Sequence, residues 1–257
     1  MAYSEVTEKL QQSHDQLMQT VQNLQKELSE KNRQLERRNR LAALGEMAAG
    51  LAHEIRNPLG GIQLYASMLA KDVSDRPESH ALVSKIRGGV QRLEALVGQV
   101  LQFSREITIS PQPMDLAVIV EQVVEMTGPQ SAAAEVTVDV EGPKSLQVRG
   151  DPILLGQALM NLVLNGIDAC SIGGRVSVNF SPTGEGTDAR QFQLVVSDSG
   201  PGIPPAVLDR IFNPFFTTKD NGTGLGLSIV HRVIEAHDGT ITASNAADGG
   251  ARFEIKI

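Results

Sequence analysis

Between Leu44 and Leu101 the chain carries two long apolar stripes at helical spacing, separated by one short polar stretch. No other feature restricts the fold as much. In the first segment, LGEMAAGLAHEIRNPLGGIQLYASML, the residues Leu44, Met47, Leu51, Ile55, Pro58, Ile62 and Leu69 fall within roughly 60° of Leu44 on a wheel of about 100° per residue. In the second, which runs from about Ser79 to Arg105, the stripe is Leu82, Ile86, Val90, Leu93, Val97 and Val100, with Leu96 and Leu101 beside it. The polar residues of Lys71 to Pro77 end the first helix. Two amphipathic helices joined by a short loop predict a helical hairpin, and a lone hairpin buries too little to stand alone. Two copies are therefore expected to pair as a four-helix bundle, which makes the protein a homodimer.

The first stripe also says what faces outward. His53 lies about 180° from Leu44, Asn57 shares its face at i+4, and Glu54 sits on the shoulder. Ala49 and Gly60 leave room beside the imidazole. Pro58, one turn on, removes a helical hydrogen bond and predicts a kink there. A carboxylate, an amide and open space around one histidine suit chemistry, yet a solvated helix histidine is far commoner. The second half of the chain decides between them.

Upstream, residues 1–40 contain neither Gly nor Pro, and Leu10, Leu17, Val21, Leu24, Leu28 and Leu35 follow a/d heptad spacing. A parallel coiled coil running into the His53 helix is expected, with Lys31 and Arg38 weakening its seam. The 23 basic and 30 acidic residues give a net charge of −7, with no basic patch interleaved with aromatics. That argues against direct nucleic-acid binding. One cysteine, Cys170, cannot form an internal disulfide, which fits a reducing compartment. No run of 18 apolar residues is present, so a cytoplasmic location without a membrane segment is expected.

Beyond the extended, Pro-containing stretch 107–113 the pattern changes. Helices are predicted for Asp115 to Met126, for Pro152 to Cys170 behind the cap Asp151, and for Leu225 to Ala236. Strands are predicted for Val136 to Val140, Arg175 to Phe180, Gln191 to Ser197, Thr240 to Ser244 and Ala251 to Ile257. The alternation implies an α/β sandwich, with helices on one face of a mixed sheet. The fold class of the whole is α+β.

Four segments of this half share a chemistry. Asn161 and Asn165 stack on one helix face, where amides can meet phosphate oxygens or a hard cation such as Mg²⁺. The strand 191–197 delivers DSGPGI, in which Asp198 can accept from an exocyclic amine while Gly200 and Gly202 let a flat ring approach the backbone. FNPFFTTK brings Lys219, and Gly222, Gly224 and Gly226 open the last helix in a backbone arrangement suited to phosphate. Each signal alone is weak, and GTGLG is neither the dinucleotide fingerprint nor the P-loop. Four together predict a site for a nucleotide and Mg²⁺.

These segments also carry a family resemblance. LAHEIRNPL resembles the H-box of two-component sensor histidine kinases, NLVLNGIDA their N-box, DSGPGI the first glycine box, FNPFFTTK the F-box and GTGLGLSIV the second glycine box. The wording HEIRNPL and PFFTTK is most similar to the nitrogen-regulation type, whose partners are response regulators that activate transcription with the alternative sigma factor, sigma-54. The resemblance implies a coiled-coil signalling helix over 1–40, a dimerisation and phosphotransfer domain over 41–106, a linker over 107–113, and an ATP-binding domain of the histidine-kinase, gyrase and Hsp90 type over 114–257. It implies that His53 accepts a phosphoryl group from Mg·ATP, that Glu54 acts on the imidazole, and that Asn57 positions water for dephosphorylating a bound response regulator. Asn165 is then the Mg²⁺ ligand, Asn161 a phosphate contact and Asp198 the reader of the adenine amine, with Gly200 and Gly202 shaping the base pocket. Lys219, Gly222, Thr223, Gly224, Leu225 and Gly226 form the lid over the phosphates. One departure matters. Many members carry a basic or aromatic residue one turn after the Mg²⁺ asparagine, where this chain has Asp168 and Ala169. The related ATPases carry a water-activating Glu where this chain has Asn161, so phosphorylation of the protein rather than hydrolysis is expected.

Overall fold

The computed structural model describes residues 18, 25, 55–104, 107–183, 191–219, 222–246 and 249–257. The chain divides into two compact units, Met1–Val97 and Gly98–Ile257. His53, Glu54, the kink expected around Pro58 on its upstream side, and all of the proposed coiled coil apart from Met18 and Gln25 lie outside the described residues.

In the first unit, α1 (residues 55–72) turns through 73–76 into α2 (Pro77–Ser104), of which residues 98–104 belong to the second unit. The turn closes by backbone bonds from Arg76 N–H to the Val73 carbonyl at 2.9 Å and from His80 N–H to the Arg76 carbonyl at 2.9 Å. The hairpin predicted from the stripes is present, but its contact surface is shifted. Leu59, Ala66, Val73, Val83 and Val90 are buried, and Ala66, Val73 and Val83 cluster with Ala70. Of the predicted stripes, Ile62, Leu69, Leu82, Ile86 and Leu93 remain exposed, Leu82 at 62% and Ile86 at 50%. Two helices in contact cover only one flank of a broad apolar stripe, and small residues on that flank allow the close approach. The rest of the stripe stays uncovered within one chain.

The second unit is a mixed five-stranded sheet with helices against it. Its strands are β2 (Thr137–Glu141), β4 (Arg175–Pro182), β5 (Phe192–Asp198), β6 (Thr240–Asn245) and β7 (Ala251–Lys256), in the order β2-β4-β5-β7-β6. β2 and β4 run parallel and the other neighbours antiparallel. The period-2 pattern explains the layer. Val176, Val178, Phe180, Leu194, Val196, Phe253 and Ile255 are buried, while Ser177, Asn179, Gln193, Ser197, Arg252 and Glu254 alternate with them at half exposure. Against the apolar face pack α3 (Leu116–Ala134), α4 (Pro152–Ala169) and α5 (Gly226–Ala236). Leu155, Leu159, Leu162, Val163 and Ile167 line the buried side of α4, and Val230, Val233 and Ile234 that of α5. Each such side chain taken from water stabilises by about 1.5–3 kcal/mol.

A second, two-stranded sheet was not foreseen from the sequence. β1 (Gln112–Asp115) pairs antiparallel with β3 (Gln147–Gly150). Four residues and a proline give too short a pattern to read. Its order comes from Asp115, which caps α3 through Ala117 N–H at 3.0 Å and also accepts from Leu146 N–H at 2.9 Å, Ser145 Oγ at 2.6 Å and Gln147 Nε2 at 3.0 Å. The Ser145 hydroxyl and the other donors hold its carboxyl below the usual carboxylate range. α3 also extends eight residues past the expected end at Met126, through Pro129 to Ala134, where Glu135 takes a left-handed φ of 54°. Val136 N–H closes that end on the Ser131 carbonyl at 2.9 Å. Packing against α4 outweighs the Gly128–Pro129 breaker.

Asp151, the predicted cap of α4, does more than end a helix. Its Oδ1 accepts from Ile153 and Leu154 N–H, both at 3.1 Å, and its Oδ2 accepts from Ser110 N–H at 3.0 Å. Its own N–H donates to His237 Nε2 at 3.0 Å, and His237 Nδ1 donates to the Val233 carbonyl at 2.7 Å. The two ends of this chain of bonds tie the start of α4 to the end of α5. Burial disfavours the ionised Asp151, but the three amide donors and the nearby His237 outweigh it and hold its carboxyl below the usual range. A carboxyl lowered in the folded state stabilises above its unfolded value, near 3.9, and that contribution is lost as pH falls through the folded value. Asp151→Ala is expected to lower stability by about 1–2 kcal/mol and to flatten the acid limb of a denaturation midpoint-versus-pH curve. An unchanged acid limb would show that Asp151 is not the group responsible.

Candidate functional site

A cavity of about 600 Å³ opens in the second unit between α4, the turn after β5 and the segment that leads into α5. Asn161, Asn165 and Asp168 reach it from successive turns of α4. Asp198 closes one end from the last position of β5. Thr217, Thr218, Lys219, Gly222, Thr223 and Gly224 supply the opposite wall. Of the residues expected in the site from the sequence, Asn161, Asn165, Asp198, Gly202, Lys219, Gly222, Thr223, Gly224 and Gly226 therefore meet around one space. Gly200 and Leu225 stand behind it: Leu225 is buried, and a side chain on Gly200 would collide with the Ala169 carbonyl.

Asp198 is the most tightly placed of these groups. It is 8% exposed, and its Oδ1 accepts from Gly200 N–H at 2.9 Å and Ala251 N–H at 3.1 Å. Among the described residues its Oδ2 accepts no bond. A fixed carboxylate with one oxygen uncommitted is suited to an amine donor on a planar ring. The turn that follows is fixed by Asn245, whose Oδ1 accepts from Ile203 N–H at 2.7 Å and whose Nδ2 donates to the Ile203 carbonyl at 2.8 Å. Ile203, Val207, Ile211, Ala251 and Phe253 give this end apolar walls.

The other end is polar. α5 starts without a side-chain cap, and Gly226 stands so close to α4 that a Cβ there would lie 3.7 Å from Asn165 Nδ2 and 3.8 Å from Asn161 Oδ1. Uncommitted amides at a helix start, two asparagine side chains and an ammonium group converge where an anion can be held. The asparagine carbonyl oxygens and the uncommitted space between them also fit a hard divalent cation, which takes oxygen ligands. Lys219 Nζ lies 3.3 Å from Asp168 Oδ2.

The segment before the glycines is strained and braced. Phe215 has a φ of 63°, and Gly224, at φ 66°, packs so tightly on it that a side chain would overlap the Phe215 carbonyl carbon. The Phe215 ring meets that of Phe103 edge-on at 6.0 Å. Phe103 is 1% exposed, with the Arg232 guanidinium 5.1 Å above its ring and bonded to its carbonyl. Arg210 lies 5.0 Å above the ring of Phe216.

In the first unit Asn57 is exposed, as expected, and neither Gly60 nor Gly61 has anything within 4 Å of where a side chain would begin. Among the described residues, the positions one turn after Asn57 are therefore uncrowded. Five contributors escaped the sequence reading: Asn245, Val207, Ile211, Phe253 and the Gly250–Ala251 step. The only signal for the last was the glycine pair before β7, which reads equally as a turn.

Two family models match the chain: "His Kinase A (phospho-acceptor) domain" over residues 43–108, and "Histidine kinase-, DNA gyrase B-, and HSP90-like ATPase" over residues 150–257. The sensor histidine kinase ZraS of Escherichia coli K12 is 35% identical over 223 residues, covering 86% of this chain and 47% of that protein. The chain belongs to the two-component sensor histidine kinases. It spans about half the length of the curated relatives it matches. Full-length ShkA, solved in complex with AMPPNP, superposes with a TM-score of 0.67 at 28% identity, covering 82% of this chain and 45% of that one. ThkA, solved with the response regulator TrrA, gives a TM-score of 0.62 at 30% identity, covering 86% of this chain and 63% of that one.

In this chain Gly250 sits at φ 86° directly on the Asp198 carbonyl, where any Cβ would overlap. Gly250→Ala is expected to lower the stability of the second unit by about 1–3 kcal/mol and to move Asp198. Urea unfolding read beside the amide resonances of residues 198–203 checks both effects. A native midpoint with unmoved resonances would contradict the packing.

Proposed function

We propose that this kinase transfers the γ-phosphoryl group of ATP to an imidazole nitrogen of His53 and then passes it to an aspartate on the receiver domain of a response regulator. The observation that carries the reading is the convergence of Asp198, Asn161, Asn165 and the uncapped start of α5 on one cavity. Asp198 Oδ2 accepts from the exocyclic amine of adenine, between the apolar walls of Ile203 and Phe253. Asn161, Lys219 and the amides of Thr223, Gly224 and Gly226 hold the phosphates, while Gly222 and Leu225, whose amides bond to the Lys219 carbonyl and to Thr223 Oγ1, shape the loop, and Asn165 would hold Mg²⁺ through its carbonyl oxygen. Mg²⁺ supplies charge neutralisation at the transferring group, so the chain's contribution is alignment and electrostatics. Gly200 and Gly202 keep the backbone close to the base.

On the acceptor side, Glu54 fixes the imidazole tautomer that exposes the attacking nitrogen. Asn57 positions water against a phosphorylated regulator, which adds a phosphatase activity. Sequence similarity to the nitrogen-regulation type favours a sigma-54 activator as that regulator. The exposed row Ile62, Leu69, Leu82, Ile86 and Leu93 supports a homodimer built as a four-helix bundle, since an apolar surface of this kind gains most by meeting a second copy. Among the described residues no helix is long and apolar enough to cross a membrane. A cytoplasmic setting, with the boundaries 1–40, 41–106, 107–113 and 114–257, completes the proposal.

The rival is an ATPase on the same nucleotide fold. Water attack needs a general base, and the amide of Asn161 cannot serve as one. With γ-labelled ATP and Mg²⁺ the wild type is expected to acquire acid-labile label that a receiver domain then removes. His53→Gln should drop labelling to background while nucleotide affinity is retained, and Asn165→Ala should abolish labelling and the Mg²⁺ dependence of binding. Wild-type labelling of His53→Gln would refute the acceptor, and steady phosphate release without labelling would favour the ATPase.

A further inference from the structure

Among the described residues the charged side chains lining the cavity are Asp168, Asp198 and Lys219. Asp198 is engaged at one end by two backbone amides. At the other end the single cation is already partnered: Lys219 Nζ is 3.3 Å from Asp168 Oδ2. Asp168 stands three residues after Asn165, one turn further along the face of α4 that lines the cavity. The position of the lysine is set by its backbone. Its N–H donates to Thr217 Oγ1 at 3.0 Å, and its carbonyl accepts from Gly222 N–H at 3.1 Å and from Thr217 Oγ1 at 3.3 Å. The ammonium group can therefore change partners by side-chain rotation alone.

We propose that Asp168 is an electrostatic gate on the phosphate end of the cavity. It pairs with Lys219, and an incoming polyphosphate must take the lysine from it. The inference rests on the nucleotide reading of the cavity and adds a specificity-determining residue to it. Two effects oppose the polyanion: the ion pair has to be exchanged, and the carboxylate left behind repels the phosphates. Both grow with the charge of the ligand and neither touches the base. Asp168 thus weakens ATP more than ADP and leaves adenosine unaffected, which keeps the triphosphate exchangeable.

Calorimetric titration of the full chain with adenosine, ADP and ATP, each with and without Mg²⁺, tests the gate in wild type, Asp168→Asn, Lys219→Met and the double variant. Asp168→Asn should tighten ATP about two- to five-fold, the range of a half-exposed ion pair, with a smaller gain for ADP and none for adenosine. The gain should shrink as salt is raised. It should also be smaller in the Lys219→Met background, where no pair has to be broken. An equal change for adenosine would assign Asp168 a structural role and overturn the gate. A loss of affinity confined to Mg²⁺ conditions would make Asp168 a metal ligand and also overturn it. An equal gain with and without Lys219 removes the exchange. Failure of the wild type to bind any of the three ligands would instead refute the nucleotide reading. Asp168 is exposed, so the fold survives the substitution, and Asp168→Ser repeats the measurement with a smaller side chain.

Discussion

The cavity exists because α4 can lie very close to β4 and β5, and Gly166 is where that closeness is decided. A Cβ at this position would meet Val176 Cγ2 at 3.0 Å and the Asp198 side chain at 3.5 Å. Asn165 is its neighbour in sequence, so the approach that seats Gly166 against the sheet also sets the distance between the asparagine turns and the carboxylate at the end of β5. The antiparallel register, which places Asp198 opposite Val176, finishes the arrangement. Binding groups drawn from a helix and a strand end are thereby fixed by core packing rather than by loops. The Asp151–His237 chain holds the far end of α4 to α5, so the glycine-rich start of α5 keeps its place beside the asparagines.

The long elements were legible because their periods are unambiguous. α4 begins behind Asp151 and ends within one residue of expectation, and the strands of the main sheet match closely, since alternating Val and Phe have only one way to face a core. The β1–β3 pair was not legible, because its stability lies in the side-chain bonds of Asp115 to residues about 30 positions away. The length of α3 escaped for a related reason: packing, which no local rule reports, carried it through Pro129. Around the cavity, the lining residues with distinctive chemistry, such as Asn161, Asn165, Asp198 and Lys219, were singled out in the sequence. Those acting through shape or backbone, such as Asn245, Phe253 and Gly250, were not, because their contribution depends on a fold that brings residues 42 to 53 positions apart into contact.

The helical hairpin gives a different lesson. Periodicity correctly marked which face of each helix is apolar but could not say which flank one chain would use for itself. The small residues Ala66 and Ala70, with Val73 and Val83, took the intrachain contact, and the bulkier row of Leu82, Ile86 and Leu93 was left outside. Among the described residues part of the apolar surface stays uncovered within one chain, which explains why a hairpin reading leads so directly to assembly.

Phe215 is a bulky residue in a left-handed conformation, braced by an aromatic edge on one side and by a glycine backbone on the other. Such a conformation stores on the order of 1–3 kcal/mol. That energy corresponds to roughly a five- to 150-fold shift between two loop arrangements. The F-box thus resembles a sprung catch, in which loosening either brace releases a bias large enough to repopulate the segment without any contribution from a ligand.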